Sequence, residues 1–257
     1  MKKLLAFLLV LTMVMAFAAC NETEKPNTDA DTTVADTTVA DTTVADTTDE
    51  TPDDVKVMTH EEYMAAEIDA EVIIETYVQA HQSWWDNKVT VYCQSPDGAY
   101  FLYELASTEE DAAKLVPGTK IRVTGTKGAW AGEVEVMNGT FEFVEGGDTF
   151  IAEAFDATAL LGTDELINHQ NEFAAFKGLT VKAIEYKNGE PGDDIYLTLS
   201  LGEADYSFCV EIYLTGADSD VYTTVGTLNE GDVVNVEGFI YWYEGVNPHV
   251  TAISVAE

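Results

Sequence analysis

Along most of the chain, apolar side chains recur at every second position, the period of a strand with one face buried. Val72, Ile74, Thr76 and Val78 alternate with Ile73, Glu75, Tyr77 and Gln79. Val89, Val91 and Cys93 continue the pattern, and the turn SPDG leads into a third run, AYFLYEL. Ile121, Val123 and Gly125 alternate with Lys120, Arg122 and Thr124, and GEVEVMNGTFEFV supplies a fifth run. Between the third and fourth runs, Ser107 and Glu110 have the spacing of a capping box and open a short helix, TEEDAAKL. A second set repeats this order with LTVKAIEY, DIYLTLS, YSFCVEIYL, an irregular GADSDVYTTVGTL, DVVNVEGFIYWY and HVTAISVA. A helical stretch precedes each set: THEEYMAAE, with Thr59 and Glu62 as another capping box, and TDELINHQNEFAAF.

The two sets are related. Residues 115–132 lie over residues 228–245 without a gap. Leu115, Gly118, Ile121, Val123, Gly125 and Gly132 fall on Leu228, Gly231, Val234, Val236, Gly238 and Gly245. Glycine at three matched positions marks turns or close backbone approaches, so the chain is read as one fold used twice. Five strands with a helix between the third and fourth is the order of the OB-fold, a small Greek-key barrel. The L-x2-G-x2-hydrophobic-x-V-x-G run entering the fourth strand resembles that of bacterial OB-fold domains, including those of lipoproteins of poorly characterised function. The expected class is mainly β: two tandem five-stranded OB-like Greek-key barrels with short helices, residues 58–147 and 148–257, after a disordered N-terminal tether. A different barrel or sandwich of similar strand count is the competing reading.

The N-terminus has its own grammar. Lys2 and Lys3 precede an apolar run over residues 4–17, then Ala18, Ala19 and Cys20. This is the layout of a signal peptide over residues 1–19. Its end resembles the lipobox of bacterial lipoproteins, with Phe17 where that pattern usually has Leu. The resemblance implies a diacylglyceryl group on Cys20 and an extracytoplasmic protein anchored to the outer face of a bacterial membrane. An ordinary secreted protein is the alternative. From residue 20 to 57 the unit DTTVA repeats from Asp31, Asp36 and Asp41. A period of five suits neither a helix face nor a strand face, and one carboxylate per unit opposes collapse. Fully stretched, this acidic tether spans about 120 Å.

The formal net charge is -35. Residues 58–257 keep 36 acidic against 8 basic side chains, with Arg122 the single arginine. Such a surface repels polyanions, so no nucleic acid is expected among the partners. Cys93 and Cys209 fall in separate barrels and are expected to be buried and free. Chemistry that would mark an enzyme is sparse. His60, His81, His169 and His249 are scattered without metal-ligand spacing, and no G-x-S-x-G elbow occurs. Calcium-dependent nucleases on OB barrels rely on paired arginines, and this chain offers one. Glu190, Asp193 and Asp194 lack the grammar of a calcium loop and read as solvated loop charge. No metal and no cofactor is expected.

OB barrels take ligands on the outer face of strands two and three, between the loops joining strands one to two and four to five. Those loops are QSWWDNK and TKGAWAGE in the first half, and YKNGEPGDD and YWYEGVNPH in the second; they hold all four tryptophans. Strand phase sorts the rings. If Asp86 and Asn87 form a two-residue hairpin turn, Trp84 points inward with Val89, and Trp85 points out. Trp242 shares the inward phase of Val234 and Val236, which leaves Tyr241 and Tyr243 on the other face. Tyr243 is also the repeat partner of Trp130. The candidate ligand-binding residues are therefore Trp85, Trp130, Tyr241 and Tyr243, with packing between the domains as the alternative role for these rings. The function expected is a lipid-anchored, non-catalytic binding or adaptor protein for a carbohydrate, a peptide or an envelope protein. The alternatives are an enzyme or enzyme accessory acting on cell-wall polymers, and a structural surface spacer.

Overall fold

The computed structural model describes residues 56–256. Cys20, the signal segment and nearly all of the tether lie outside the described residues. The first ordered element is helix α1 (His60–Ala65). Its capping box is the one the sequence spells: Thr59 Oγ1 accepts from the Glu62 N–H, and the Glu62 carboxylate accepts from the Thr59 N–H. Strands β1 (Glu71–His81), β2 (Lys88–Ser95), β3 (Gly98–Ala106), β4 (Lys120–Trp130) and β5 (Glu133–Phe143) close into a barrel in the order β1-β2-β3-β5-β4. Helix α2 (Glu109–Ala112) lies between β3 and β4. Its cap is one residue later than expected. Thr108 Oγ1 accepts from the Asp111 N–H, while the Ser107 hydroxyl donates to the Thr108 carbonyl.

The second half contains β6 (Phe155–Asp156), β7 (Phe173–Tyr186), β8 (Ile195–Leu201), β9 (Ala204–Val210), α3 (Ile212–Thr215), α4 (Asp220–Val225), β10 (Val233–Phe239) and β11 (His249–Val255). The sheet runs β10-β11-β9-β8-β7-β6, and β10 also pairs with β7. Strands β7 to β11 therefore form a ring in the order of the first barrel, with β6 added in parallel to β7. The link between β9 and β11 is a single pair, Cys209 with His249. The protein is mainly β, with a closed five-stranded barrel, a second sheet of the same strand order and short helices.

The stretch TDELINHQNEFAAF departs from expectation. It forms a 3-10 turn at Leu166–His169 and then enters β7. Asn171 takes φ 67, which ends any helix, and its N–H donates to the Ile240 carbonyl. Phe176 is fully buried in the second core, so tertiary burial overrides a helical pattern. The irregular GADSDVYTTVGTL contains α4, capped by Ser219, in the position α2 holds in the first barrel.

The matched glycines have a steric cause. Gly125 and Gly238 lie at irregularities where the fourth strand of each barrel passes its fifth. A Cβ on Gly125 would stand 2.6 Å from Val136 Cγ1 and 3.0 Å from the Met137 carbonyl; on Gly238 it would strike the His249 carbonyl.

Each barrel has its own core, one around Ile74, Leu102, Ile121 and Val123, the other around Phe176, Leu197, Phe208 and Val236. Cys93 and Cys209 are buried and unbonded. A third apolar cluster joins the barrels: Tyr92 and Phe101, from β2 and β3, pack on Phe239, with Phe173, Leu214 and Tyr241 around them. The Tyr92 and Phe239 rings stack at 4.7 Å. The face of β2 and β3 that an OB barrel offers to ligands is thus largely covered by the neighbouring barrel. Hydrogen bonds fix the joint: the Phe173 N–H donates to Gln94 Oε1 at 2.8 Å, and the Glu244 N–H to the Ala131 carbonyl at 2.7 Å.

Candidate functional site

The tryptophan pair is divided as its phase requires. Asp86 and Asn87 take φ 47 and φ 61, and Trp85 and Lys88 exchange backbone hydrogen bonds of 3.0 and 2.9 Å. Two left-handed residues in a two-residue loop match the right-handed twist of the flanking strands. Trp84 turns inward against the first core, and its indole N–H donates to the Ser107 carbonyl at 2.9 Å. Trp85 remains 80% exposed. Trp242 is half-buried against the second core.

Trp85 stands at the edge of a cavity of about 500 Å³ between the barrels. Phe101, Tyr103, Tyr213 and Tyr241 also line it, with Gln82, Ser83, Lys88, Glu104, Glu211 and His249 among the polar residues. The cavity exists because the second barrel covers only part of the β2–β3 face. Tyr241 is half-buried, with its ring stacked on His249 at 4.2 Å and met edge-on by Phe101. Trp85, Tyr103 and Tyr213 form the exposed rim. Glu104, at φ 49, occupies an irregularity between β2 and β3, and its carboxylate meets the Lys88 ammonium at 2.6 Å. A left-handed non-glycine residue beside a cavity is a cost the fold bears where it aims a side chain.

The floor is polar. The Gln82 amide donates to Glu211 Oε2 at 2.6 Å, and the buried Tyr92 hydroxyl lies 2.6 Å from His249 Nδ1 and 3.4 Å from Glu211 Oε2. Burial, followed by the Asp194 carboxylate, pushes Glu211 up to about 7. Burial also pushes His249 down to about 4. At neutral pH the imidazole is uncharged, so the 4.0 Å approach of His249 Nδ1 to Glu211 Oε2 is no ion pair. Tyr92 mediates between them instead. Two lining hydroxyls are engaged with backbone: Ser83 Oγ donates to the Tyr213 carbonyl, and Thr90 Oγ1 accepts from the Glu104 N–H.

The four candidate residues fall into two places. Trp85 and Tyr241, from different barrels, share the cavity. Trp130 and Tyr243, 62% and 52% exposed, lie outside it on the two β4–β5-type turns, which touch where Glu244 donates to Ala131. Sequence reasoning missed Tyr103, Tyr213, Glu211 and His249. Tyr103 had a signal, since it shares the outward phase of Phe101 in AYFLYEL. Glu211 and Tyr213 had none, because EIYL reads as strand and folds as the start of α3. Among the described residues no group of three or more His, Cys, Asp or Glu is placed to hold a metal ion. Asp193 and Asp194 pair with Lys187 at 3.3 and 2.9 Å.

The strand order and the aromatic cavity define a tandem OB-type protein. No protein-family model matches the chain, and no curated protein sequence matches it significantly. Solved structures do match. A murine DNA-binding protein bound with double-stranded DNA is 12% identical, with a TM-score of 0.35, over 72% of this chain and 95% of that one. A replication protein A heterotrimer bound to single-stranded DNA is 12% identical, with a TM-score of 0.31, over 73% of this chain and 49% of that one. An asparaginyl-tRNA synthetase from Pyrococcus horikoshii is 18% identical, with a TM-score of 0.28. That match takes in 33% of this chain and only about a fifth, 19%, of the synthetase. These neighbours correct one expectation. Two are proteins with DNA bound, against the expectation that nucleic acid is absent from the partners. At such identities the likeness is one of fold and assigns no ligand.

Proposed function

We propose that this chain is a non-catalytic binding module that receives its ligand in the cavity between the two barrels. The observation that supports it best is Trp85. A large ring left 80% exposed, at the edge of a cavity of about 500 Å³, loses its contact with water only when a ligand arrives. Tyr241 supplies a second ring from the other barrel. In this reading Cys20 carries the lipid, residues 20–57 act as a tether, and the barrels work outside the cytoplasm on a carbohydrate, a peptide or an envelope protein. The test is direct binding of the full-length protein to arrays of glycans, peptides, envelope fractions and oligonucleotides. Hits are then repeated with Trp85→Ala. Weaker capture with an unchanged melting temperature supports the reading; capture indifferent to Trp85 counts against the cavity. Labelling with a radioactive fatty acid tests the anchor, and Cys20→Ala should abolish incorporation.

A further inference from the structure

Resting on that reading, we infer that the cavity between the barrels recognises an organic cation, an alkylammonium or guanidinium group, held against aromatic faces and the Glu211 carboxylate. Three observations lead there. The first is the wall: Trp85, Phe101, Tyr103, Tyr213 and Tyr241 all line one space. Aromatic faces carry negative charge density and attract a cation within about 6 Å.

The second is the balance of donors and acceptors. The Gln82 amide and the Ser83 hydroxyl are already donating, to Glu211 and to Tyr213. Glu211 thus keeps acceptor capacity toward the cavity, alongside the hydroxyls of Tyr103, Tyr213 and Tyr241, which can accept as well as donate. A cation bears N–H donors that these acceptors can take.

The third is charge. Lys88, the one lining ammonium, is held by Glu104 at 2.6 Å. Glu211 has 16% side-chain exposure, and its partners are the Gln82 amide and the Tyr92 hydroxyl. A buried carboxylate without a cation is costly, and an incoming cation offsets that cost.

The pH dependence follows from the neighbours of Glu211. Asp194 raises its affinity for a proton, while Gln82, Tyr92 and Lys187 lower it. His249 stays neutral above about 4, and Lys88 and Glu104 pair with each other at the rim. Glu211 therefore gains its charge as pH rises through about 7, and affinity for a cation rises over the same range.

The experiment titrates full-length protein, by calorimetry and tryptophan fluorescence at pH 6 and pH 8, with defined probes. Nα-acetyl-lysinamide and Nα-acetyl-argininamide represent a peptide side chain, and tetramethylammonium and spermidine represent free amines. Nα-acetyl-norleucinamide and N-acetylglucosamine are the neutral comparisons. At least one cation should bind more tightly at pH 8 than at pH 6 and far more tightly than norleucinamide. Glu211→Gln and Trp85→Ala should each weaken it by about tenfold, whereas Glu230→Gln, an exposed carboxylate remote from the cavity, should leave it unchanged. The class of cation that binds separates a peptide source from a free amine. Binding of no cation, or equal loss with Glu230→Gln, overturns the inference. If a neutral probe binds and depends on Trp85, the cation assignment falls and the binding cavity stands. If a probe binds and Trp85→Ala changes nothing, both fall.

Discussion

Replacing Glu133 with glutamine should stabilise the protein, and only on the alkaline side. Glu133 begins β5 and is fully buried at the joint between the barrels, where its Oε2 accepts from the Trp242 N–H at 2.8 Å. Its Oε1 has no partner, nor has Asn171 Oδ1, although the Asn171 side chain is within hydrogen-bonding reach of the carboxyl. Burial favours the neutral acid over the hydrogen bonds that would hold its charge, pushing the group up from 4.5 to about 8. The unfolded chain releases the proton above 4.5 while the native chain keeps it until about 8. The native state thus binds more protons across that window, and stability falls as pH rises through it, levelling off above 8. At about 1.4 kcal/mol per pH unit the ceiling is on the order of 5 kcal/mol. Local relaxation and water entry reduce this to about 2–3 kcal/mol. Glutamine keeps an acceptor for the Trp242 N–H and carries no charge. Glu133→Gln should match the parent near pH 5 and melt about 5–10 °C higher at pH 9. Thermal melts followed by circular dichroism across that range decide it. A difference between the two proteins that does not grow with pH refutes the reasoning.

The other predictions test packing. Trp84→Ala removes a half-buried ring and its hydrogen bond to Ser107, and should lower stability by about 2–4 kcal/mol in chemical denaturation. Gly238→Ala should destabilise more than Gly125→Ala, because the new methyl meets the His249 backbone rather than a movable Val136 side chain first; paired melts rank them. Tyr92→Phe deprives His249 Nδ1 of its partner and should cost about 1–3 kcal/mol. An unchanged melting temperature for that variant would show that the ring row on the cavity floor is not held by hydrogen bonding.

Period-2 alternation, the Thr59 cap and the register of matched glycines were legible because each depends on neighbours close in sequence. The strand order followed from them, since a short helix between third and fourth strands admits few ring closures. The Asp86-Asn87 turn was legible for the same reason, and it fixed the opposite directions of Trp84 and Trp85. What was not legible depends on the joint. Residues 163–176 have a helical look in isolation, yet Asn171 gives its N–H to Ile240 and Phe176 enters the second core. Tyr92 points outward from β2 and is covered by Phe239 of the other barrel, while Phe101 is buried in the same cluster and borders the cavity. Glu211 gains its role only when Gln82 and Tyr92 of the other barrel reach it. No local pattern encodes a contact between residues more than 100 positions apart.

That joint also explains why the repeat does not make two equal sites. A barrel alone presents β2 and β3 outward, and a second copy placed beside it covers part of that face. Stacking of Tyr92 on Phe239 and burial of Phe101 use the centre of the face for cohesion. The uncovered margin, between Trp85 on one barrel and Tyr241 and Tyr213 on the other, becomes a cavity lined from both barrels. Duplication followed by asymmetric docking therefore turns one exposed binding face into a joint and a pocket. The pocket's polar floor, Gln82 against Glu211 and His249 with the Tyr92 hydroxyl buried beneath them, draws on both copies. Separating the barrels should accordingly abolish the site rather than halve it.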